Sequence, residues 1–536
     1  MEEVNRFGAD NRSHWLKEEE LLARRLEAAM FPGGESAIAK LAKQNKQPVR
    51  SLIQKLVDPG ASFLELGALA GFGMNYPEAA DVPCGGVVTG IGKIHGNWTM
   101  IVANDSRVKA GTYFPITLKK HLRAQAIAEN CGLNTVYIAD SGGAFLPMQD
   151  EVFPDDGHFG SMFYNMCRLS AMGLKQITLS TGGNTAGGAY IVFLACESIM
   201  IHQMSYSFLG GPPLVKAALG EEVTAEDLGG GRVHTQISGG ADHLCRTQDE
   251  AIERVRNILA HEPRQQVHLE RRPEYPPLCP VDGLYDILPA NIYRAIDARL
   301  VIAHIADGYP FREYKSDYAP GRGDNIVCGK IFLKGIPVGV VASNHNGIIF
   351  HPSAQKATEF IIRCSKDKTP LLFIQNSPGY MVGTESEHAG IGKHGANMVR
   401  AVSNARVPRI QMVIGPDHGA ANYGMCGRAY KPHFLFSTMR ARTSVMSGQS
   451  AAFVLLTLEK RNRQLKGEEM SPEEAEAFRQ RMMDKYDGEA HPFYCSARLF
   501  TDGVLRFADI RDTLATALEI SLLKPVPDTV LGNFRF

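Results

Sequence analysis

In the stretch TLSTGGNTAGGAYIVFLACES (178–198), a β-rich run ends near Thr181, and from Ala189 onward Ile191, Val192, Leu194 and Ala195 provide the apolar positions of a buried helix. Gly187 and Gly188 therefore fall at a helix N-terminus. Unpaired N–H groups and the positive end of the helix dipole converge there, and a residue without a side chain lets a ligand oxygen approach the backbone. The chemistry this suits is an oxyanion hole, which stabilises charge growing on a thioester oxygen as it becomes an enolate. One well-placed donor contributes about 3–4 kcal/mol to such a step. Close packing of helix on strand would explain a lone pair of glycines. A second small-residue turn, Gly419, Ala420 and Ala421, also follows a strand (RIQMVIG) and precedes a helical segment. Two holes in one chain imply two carbonyl-type oxygens that turn anionic in one reaction.

The elements that must position these turns also come twice. Gly92-Lys93-Ile94 opens a strand expected to run to Asn104, and Gly329-Lys330-Ile331 opens one running to Asn344, an offset of 237 residues (329 − 92). VYIADSGG with Ser141 recurs as LFIQNSPG with Ser377, and Gly211 after SFLG recurs as Gly448 after SVMS. Each half also places a helix after a strand, PITLKKHLRAQAIAEN (115–130) and HPSAQKATEFIIRC (351–364), and then a small-residue turn, TAGGAY (185–190) and GAANYG (419–424). The period is too long for a solenoid, so the reading is a duplicated α/β domain. The halves are set at 1–268 and 269–536, with the proline-rich stretch 262–290 as the linker. Residues 14–31 form an amphipathic opening helix that Pro32-Gly33-Gly34 ends.

Composition excludes several classes. With 57 basic and 57 acidic side chains among 536 residues there is no overall field for a polyanion, so nucleic acid is not an expected partner. Ten cysteines without a C-x-x-C read as reduced core residues, not a zinc ribbon or a disulfide framework. No stretch is long and apolar enough to span a membrane, and the acidic MEEVNRFGAD is neither a secretory signal nor a transit peptide, so the expected location is cytoplasmic. G-x-S-x-G, H-E-x-x-H and the Walker A pattern are missing, and no metal is expected.

Several long segments, VKAGTYFPITLKKHLRAQAIAE, DSGGAFLPMQDEVFPDDGHFG, FLGGPPLVKAALGEEVTAEDLGG and NYGMCGRAYKPHFLF, resemble the carboxyltransferase (β) subunits of biotin-dependent acyl-CoA carboxylases. The methylcrotonyl-CoA and geranyl-CoA branch is the most similar, and the resemblance covers the chain from about residue 50 to its end. It implies two tandem crotonase-like domains, an active site between the first half of one subunit and the second half of another, and a homo-oligomer, a hexamer by analogy. Gly187 and Gly188 would hold the acyl-CoA carbonyl, while Gly419, Ala420 and Ala421 would hold the ureido oxygen of biotin. The loops Ser141-Gly142-Gly143 and Ser377-Pro378-Gly379 would line the two sides. Carboxybiotin would release CO2 at the second hole and leave a base that deprotonates the acyl-CoA, whose enolate takes up the CO2. With no Met-Lys-Met site and no ATP-grasp loop, biotin would arrive on a biotin carboxylase/biotin carrier (α) partner. Asn184, Ser377-Pro378 and Ala421 depart from the methylcrotonyl pattern, and the turn around Asn184 resembles the carboxyltransferase subunit of glutaconyl-CoA decarboxylase. The acyl group is expected to be 3-methylcrotonyl or a related branched enoyl group, with geranyl-CoA and glutaconyl-CoA chemistry as alternatives. A stand-alone crotonase-type hydratase or hydrolase and a silent scaffold are more remote, since neither needs two holes.

Other side chains carry plainer readings beside the functional ones. Lys119, Lys120 and Arg123 could meet CoA phosphates or form a solvated helix face. Cys196 and Cys426 could be nucleophiles but read as inert buried thiols. Asp150, Glu151, Asp155 and Asp156 read as an acidic loop. Ser471-Pro472-Glu473-Glu474 is a capping box that opens a surface helix, a candidate docking site for the partner.

Overall fold

A computed structural model of the chain describes residues 2–77 and 81–535. Two compact units are formed, one from Ala23–Gln266 with Ala497–Leu499, the other from residues up to Leu22, Val267–Ser496 and the chain from Phe500 onward.

The first unit is built on strands β1 (Phe63–Leu66), β2 (Val87–Ile94), β3 (Asn97–Asn104), β4 (Asn134–Ser141), β5 (Gln176–Thr185), β6 (Glu197–Ile201), β7 (Tyr206–Phe208) and β8 (His243–Cys245). They form one sheet in the order β1-β2-β3-β4-β5-β6-β8, with β7 on β5. Pairing is antiparallel through β3 and parallel beyond it. Parallel strands need crossovers, and the helices Pro115–Cys131 and Phe159–Ala171 provide them. With both faces covered, the central strands are buried along nearly their whole length instead of on alternate residues. Val136, Ile138, Ile177, Leu179 and Ile199 pack against Ile252 and Val255 of the helix Gln248–Ala260.

The second unit repeats the plan with β9 (Arg312–Glu313), β10 (Ile326–Leu333), β11 (Ile336–Ser343), β12 (Leu371–Ser377), β13 (Arg409–His418), β14 (Phe434–Thr438), β15 (Arg442–Ser444) and β16 (Gly503–Leu505). Their order is β16-β14-β13-β12-β11-β10-β9, with β15 on β13. The helix His351–Lys366 matches Pro115–Cys131, and both carry proline in the first turn with a side-chain hydroxyl three residues from the N-cap returning to the N-cap amide. Two additional long helices, Gly448–Leu465 and Pro472–Ala490, lie between β15 and β16. The second opens with the expected capping box: Ser471 caps the Glu474 amide and Glu474 returns to the Ser471 amide.

Three sequence expectations change. The runs from Gly92 to Asn104 and from Gly329 to Asn344 are not single strands. Each run is interrupted by a two-residue turn with both φ angles positive, His95-Gly96 (49° and 77°) and Lys334-Gly335 (47° and 76°), so β2/β3 and β10/β11 are hairpins. Counted from these turns, Gly329 matches Gly90 and not Gly92, so the repeat there is 239 residues (334 − 95). The opening helix spans Glu2–Met30 rather than starting near residue 14. Among the described residues no helix is long and apolar enough to cross a membrane.

Candidate functional site

At the end of β5 the chain turns through Ala186, at φ 52° and ψ −117°, into the helix Gly187–Phe193. At the end of β13 it turns through Gly419, at φ 54° and ψ −141°, into the helix Ala420–Gly424. The first hole residue therefore matches Ala420, not Gly419: Ala186 pairs with Gly419, Gly187 with Ala420 and Gly188 with Ala421. In both units the turn residue's N–H donates to the neighbouring short strand, Ala186 to Phe208 O and Gly419 to Ser444 O, each at 3.1 Å. The next amide to find an acceptor is that of Ala189 or Asn422. The N–H groups of Gly187, Gly188, Ala420 and Ala421 thus donate to no acceptor among the described residues, which leaves two aligned donors in each unit.

An L-residue held at such a backbone conformation costs about 1–3 kcal/mol. Ala186→Gly is therefore expected to stabilise the fold by about 1 kcal/mol after the added chain entropy is deducted. A urea midpoint no higher than that of the parent protein would refute the strain.

The floor of the first hole is Ser141. A Cβ on Gly188 would stand 3.1 Å from the Ser141 carbonyl oxygen, and one on Gly187 would stand 2.9 Å from the Phe159 ring. Ser141 follows an irregularity in the β4/β5 ladder and Ser377 one in the β12/β13 ladder. Their hydroxyls serve their own loops: Gly143 N–H donates to Ser141 Oγ at 3.1 Å and Gly379 N–H to Ser377 Oγ at 3.2 Å. Gly142 N–H is taken by Ala110 O. These loop residues shape the floors of the two sites through hydrogen bonds of their own.

Beside Ser141 and Gly142 opens a basic cavity of about 430 Å³ lined by Lys40, Lys46, Arg107, Lys109 and Tyr206. Lys46 pairs with Asp140 and Arg107 with Asp105, each at 2.7 Å. Lys119 and Arg123 are not among its lining residues. Lys119 donates to Arg498 O at 2.7 Å, and Lys120 is buried, with Nζ 2.9 Å from Cys84 O. A phosphate cannot reach Lys120.

Next to Ala420 lies an apolar cavity of about 580 Å³ lined by Tyr380, Met381, Val382 and Ile391, with Glu387 and Arg400 in its wall. Two residues before Gly419, the fully buried Asp417 accepts from Gln375 Nε2 (3.1 Å), Asn422 Nδ2 (2.8 Å) and Thr443 Oγ1 (3.1 Å). Its carboxyl so ties β12, β13, β15 and the hole helix together, and burial pushes its pKa up to about 6. In the first unit the matching Asn184 bonds only within β5, to Ser180 Oγ and Gly182 O. His418 is buried too. Its Nδ1 meets Ser444 Oγ at 3.0 Å, and burial pushes its pKa down to about 4.

The cysteines are not all core residues: Cys167 and Cys196 are exposed and Cys279 is half-buried. Cys196 precedes β6, outside the hole helix, with Sγ 3.2 Å from Ser170 Oγ. Cys426 is buried, and its pKa is pushed up to about 11. The Cys426 thiol is therefore not an activated one. Asp155 and Asp156 cap local backbone amides. Among the described residues no three His, Cys, Asp or Glu are grouped to hold a metal ion.

Sequence reasoning missed Lys40, Lys46, Arg107, Lys109 and Asp417. For Asp417 a signal existed, namely an acid at the end of a buried strand where the other half has Asn184.

Comparison with known proteins follows the same lines. The carboxyl transferase domain family matches residues 40–534. The chain is 44% identical over 521 residues to the mitochondrial methylcrotonoyl-CoA carboxylase beta chain of Arabidopsis thaliana, covering 96% of this chain and 87% of that protein. It is 44% identical over 515 residues to the biotin-dependent 3-methylcrotonyl-coenzyme A carboxylase beta1 subunit of Mycobacterium tuberculosis, covering 96% of each. The crystal structure of the P. aeruginosa geranyl-CoA carboxylase beta subunit superimposes with a TM-score of 0.84 at 34% identity, over 98% of this chain and 97% of that one.

Proposed function

The chain belongs to the carboxyl transferase family and is a carboxyltransferase of duplicated crotonase-like fold, and from that premise we propose that it is the β subunit of a biotin-dependent acyl-CoA carboxylase acting on 3-methylcrotonyl-CoA or a related branched enoyl-CoA. The observation that carries this reading is the pair of holes, each with two unpartnered N–H groups on the same strand-turn-helix scaffold. The level of identity to methylcrotonyl-CoA carboxylase β chains supports the acyl group. Geranyl-CoA is the second reading, favoured by the superposition.

In the first unit the Gly187 and Gly188 amides receive the thioester oxygen and stabilise the charge that grows on it when the acyl group is deprotonated. Lys40 and Lys109, at the basic cavity, suit the phosphates of the CoA. In the second unit the Ala420 and Ala421 amides receive the ureido oxygen, and the apolar cavity beside Ala420 fits the hydrocarbon part of biotin. Carboxybiotin, when bound on its partner subunit's carrier, supplies the carboxyl group and then the base. The chain's own residues hold and polarise the two carbonyls and transfer no proton themselves.

Around the two holes, matching positions are exposed and apolar: Leu146 and Val382 (76% each), Tyr190 and Tyr423 (41% and 47%), Leu209 and Val445 (58% and 71%). Such patches support a homo-oligomer, a hexamer in the present reading, in which each site is completed by a second copy.

The test is an exchange assay in EDTA without ATP. Label is expected to move from carboxylated 3-methylcrotonyl-CoA to biocytin, with sedimentation of the same preparation showing an oligomer. No transfer from any carboxylated acyl-CoA, or full activity as a monomer, would refute the reading.

A further inference from the structure

Among the described residues that line the apolar cavity beside Ala420, Arg400 is the one cation and Glu387 the one acid. The helix Ile391–Asn404 gives this wall Ile391, Gly395 and Val399, spaced four apart and so on one face, with Arg400 at the end of the row. Arg400 is half-buried, and its Nη1 donates to Asn397 Oδ1 at 2.7 Å. Its Nε and Nη2 donate to no acceptor among the described residues, and no carboxylate pairs with it there. Glu387 is exposed and forms no ion pair among the same residues. The first unit differs: Arg168, the tenth residue of the helix Phe159–Ala171 as Arg400 is of its own, has Glu129 at 3.8 Å. Two arms of the Arg400 guanidinium are thus left over in an otherwise apolar wall, where a planar fork can donate to a ligand oxygen.

Asn397, which takes the third arm, is itself held. It is buried, its Nδ2 donates to Arg535 O, and its Oδ1 accepts from Arg535 N at 3.1 Å as well as from Arg400. One side chain so exchanges two hydrogen bonds with one backbone residue, as paired residues of an antiparallel ladder do. The segment that carries Arg535 is fixed at other points. Val526 and Phe534 pack on the core cluster that contains Met398, Ala401 and Val402 of the same helix, and Asp528 pairs with Lys368 at 3.0 Å. A buried amide clamped on a packed segment therefore aims the guanidinium.

A ligand that fills this cavity touches both Ala420 and Arg400. Biotin with its ureido oxygen on the Ala420 and Ala421 amides has one other oxygen-bearing end, the acyl end of its side chain, an amide on a carrier lysine and a carboxylate in free biotin. We propose that Arg400 receives this acyl oxygen and that Asn397, held by the 526–535 segment, is its positioning residue, so that the second unit grips biotin at both ends. The inference rests on the assignment of the biotin ureido oxygen to this hole.

The charge of the acyl end supplies the test. Calorimetry on the full chain is expected to show free biotin, a carboxylate, binding about tenfold tighter than neutral biotinamide, because the guanidinium pairs with the anion in a wall of low polarity. Arg400→Met should abolish that preference. It should also raise the KM for biocytin in the exchange assay about tenfold while leaving kcat and the KM for the acyl-CoA unchanged. Asn397→Ala, which frees the guanidinium without removing it, should reduce the preference to about threefold. If Arg400→Met fails to fold, Arg400→Gln takes its place with the same expectation. A parent protein without the preference, or a preference that survives loss of the Arg400 charge, would overturn this inference alone, and a preference unchanged in Asn397→Ala would overturn the positioning role. A parent protein that binds neither form of biotin nor biocytin would overturn the assignment of the hole and this inference with it.

Discussion

Replacing Gly188 by alanine is expected to leave the fold intact and to lower turnover of the acyl-CoA about a hundredfold, the scale of losing one oxyanion donor. The added Cβ would stand 3.1 Å from both Ser141 Cβ and Ser141 O and 3.2 Å from Ser141 Oγ, so β4 and the hole helix must separate by a few tenths of an ångström. The scaffold can hold a methyl group here, since Ala421 occupies the matching place in the second unit and is buried. What suffers is the aim of the Gly187 and Gly188 amides. Steady-state kinetics should show the loss in kcat, biocytin binding should stay parent-like, and the melting temperature should fall by no more than a few degrees. Gly188→Val sets a branched side chain against the same carbonyl and should destabilise the fold as well. A kcat for Gly188→Ala within threefold of the parent would remove Gly188 from the site.

The second large effect is a pH dependence hidden by cancellation. Asp417 holds its proton more tightly folded than unfolded, its pKa rising from 3.8 to about 6, so its contribution to stability declines as pH rises from about 4 to 6. His418 does the reverse. Its pKa falls from 6.5 to about 4 on folding, so stability is lost as pH drops from about 6.5 to 4. The adjacent residues therefore oppose each other across one window. Asp417→Asn should unmask His418, with folding stability climbing by about 3 kcal/mol between pH 4 and 6.5. His418→Gln should give the mirror trend, a decline of about 3 kcal/mol between pH 4 and 6. Urea titrations at half-unit pH steps read both slopes, and matching slopes in parent and variants would rule the coupling out.

The duplication and both small-residue turns could be read from residue types because glycine and alanine at a strand end restrict what can follow. Their alignment was off by one residue, since the repeated feature is a backbone conformation that the first unit gives to Ala186 and the second to Gly419. The hairpins escaped notice because His95-Gly96 and Lys334-Gly335 interrupt β-rich runs for only two residues. The buried Arg440 is illegible in the sequence for a different reason. The partners of Arg440 come from residues 289–294, 376 and 414, and no local pattern announces a site assembled from such distant pieces. The same holds for the basic cavity, where Lys40 and Lys46 precede the first strand while Arg107 and Lys109 follow the third.

The uneven exposure of the cysteines gives the protein a built-in asymmetry for optical work. Cys167 and Cys196, the exposed thiols, both belong to the first unit, and in the second only Cys279 is even half-buried rather than buried. A maleimide dye used at limiting ratio will therefore mark the first unit and leave the second dark. Cys167 lies on the Phe159–Ala171 helix, whose first residue sets its ring against Gly187. Fluorescence from that position will follow the helix bounding one hole, so the order in which the two substrates arrive can be timed without a second label.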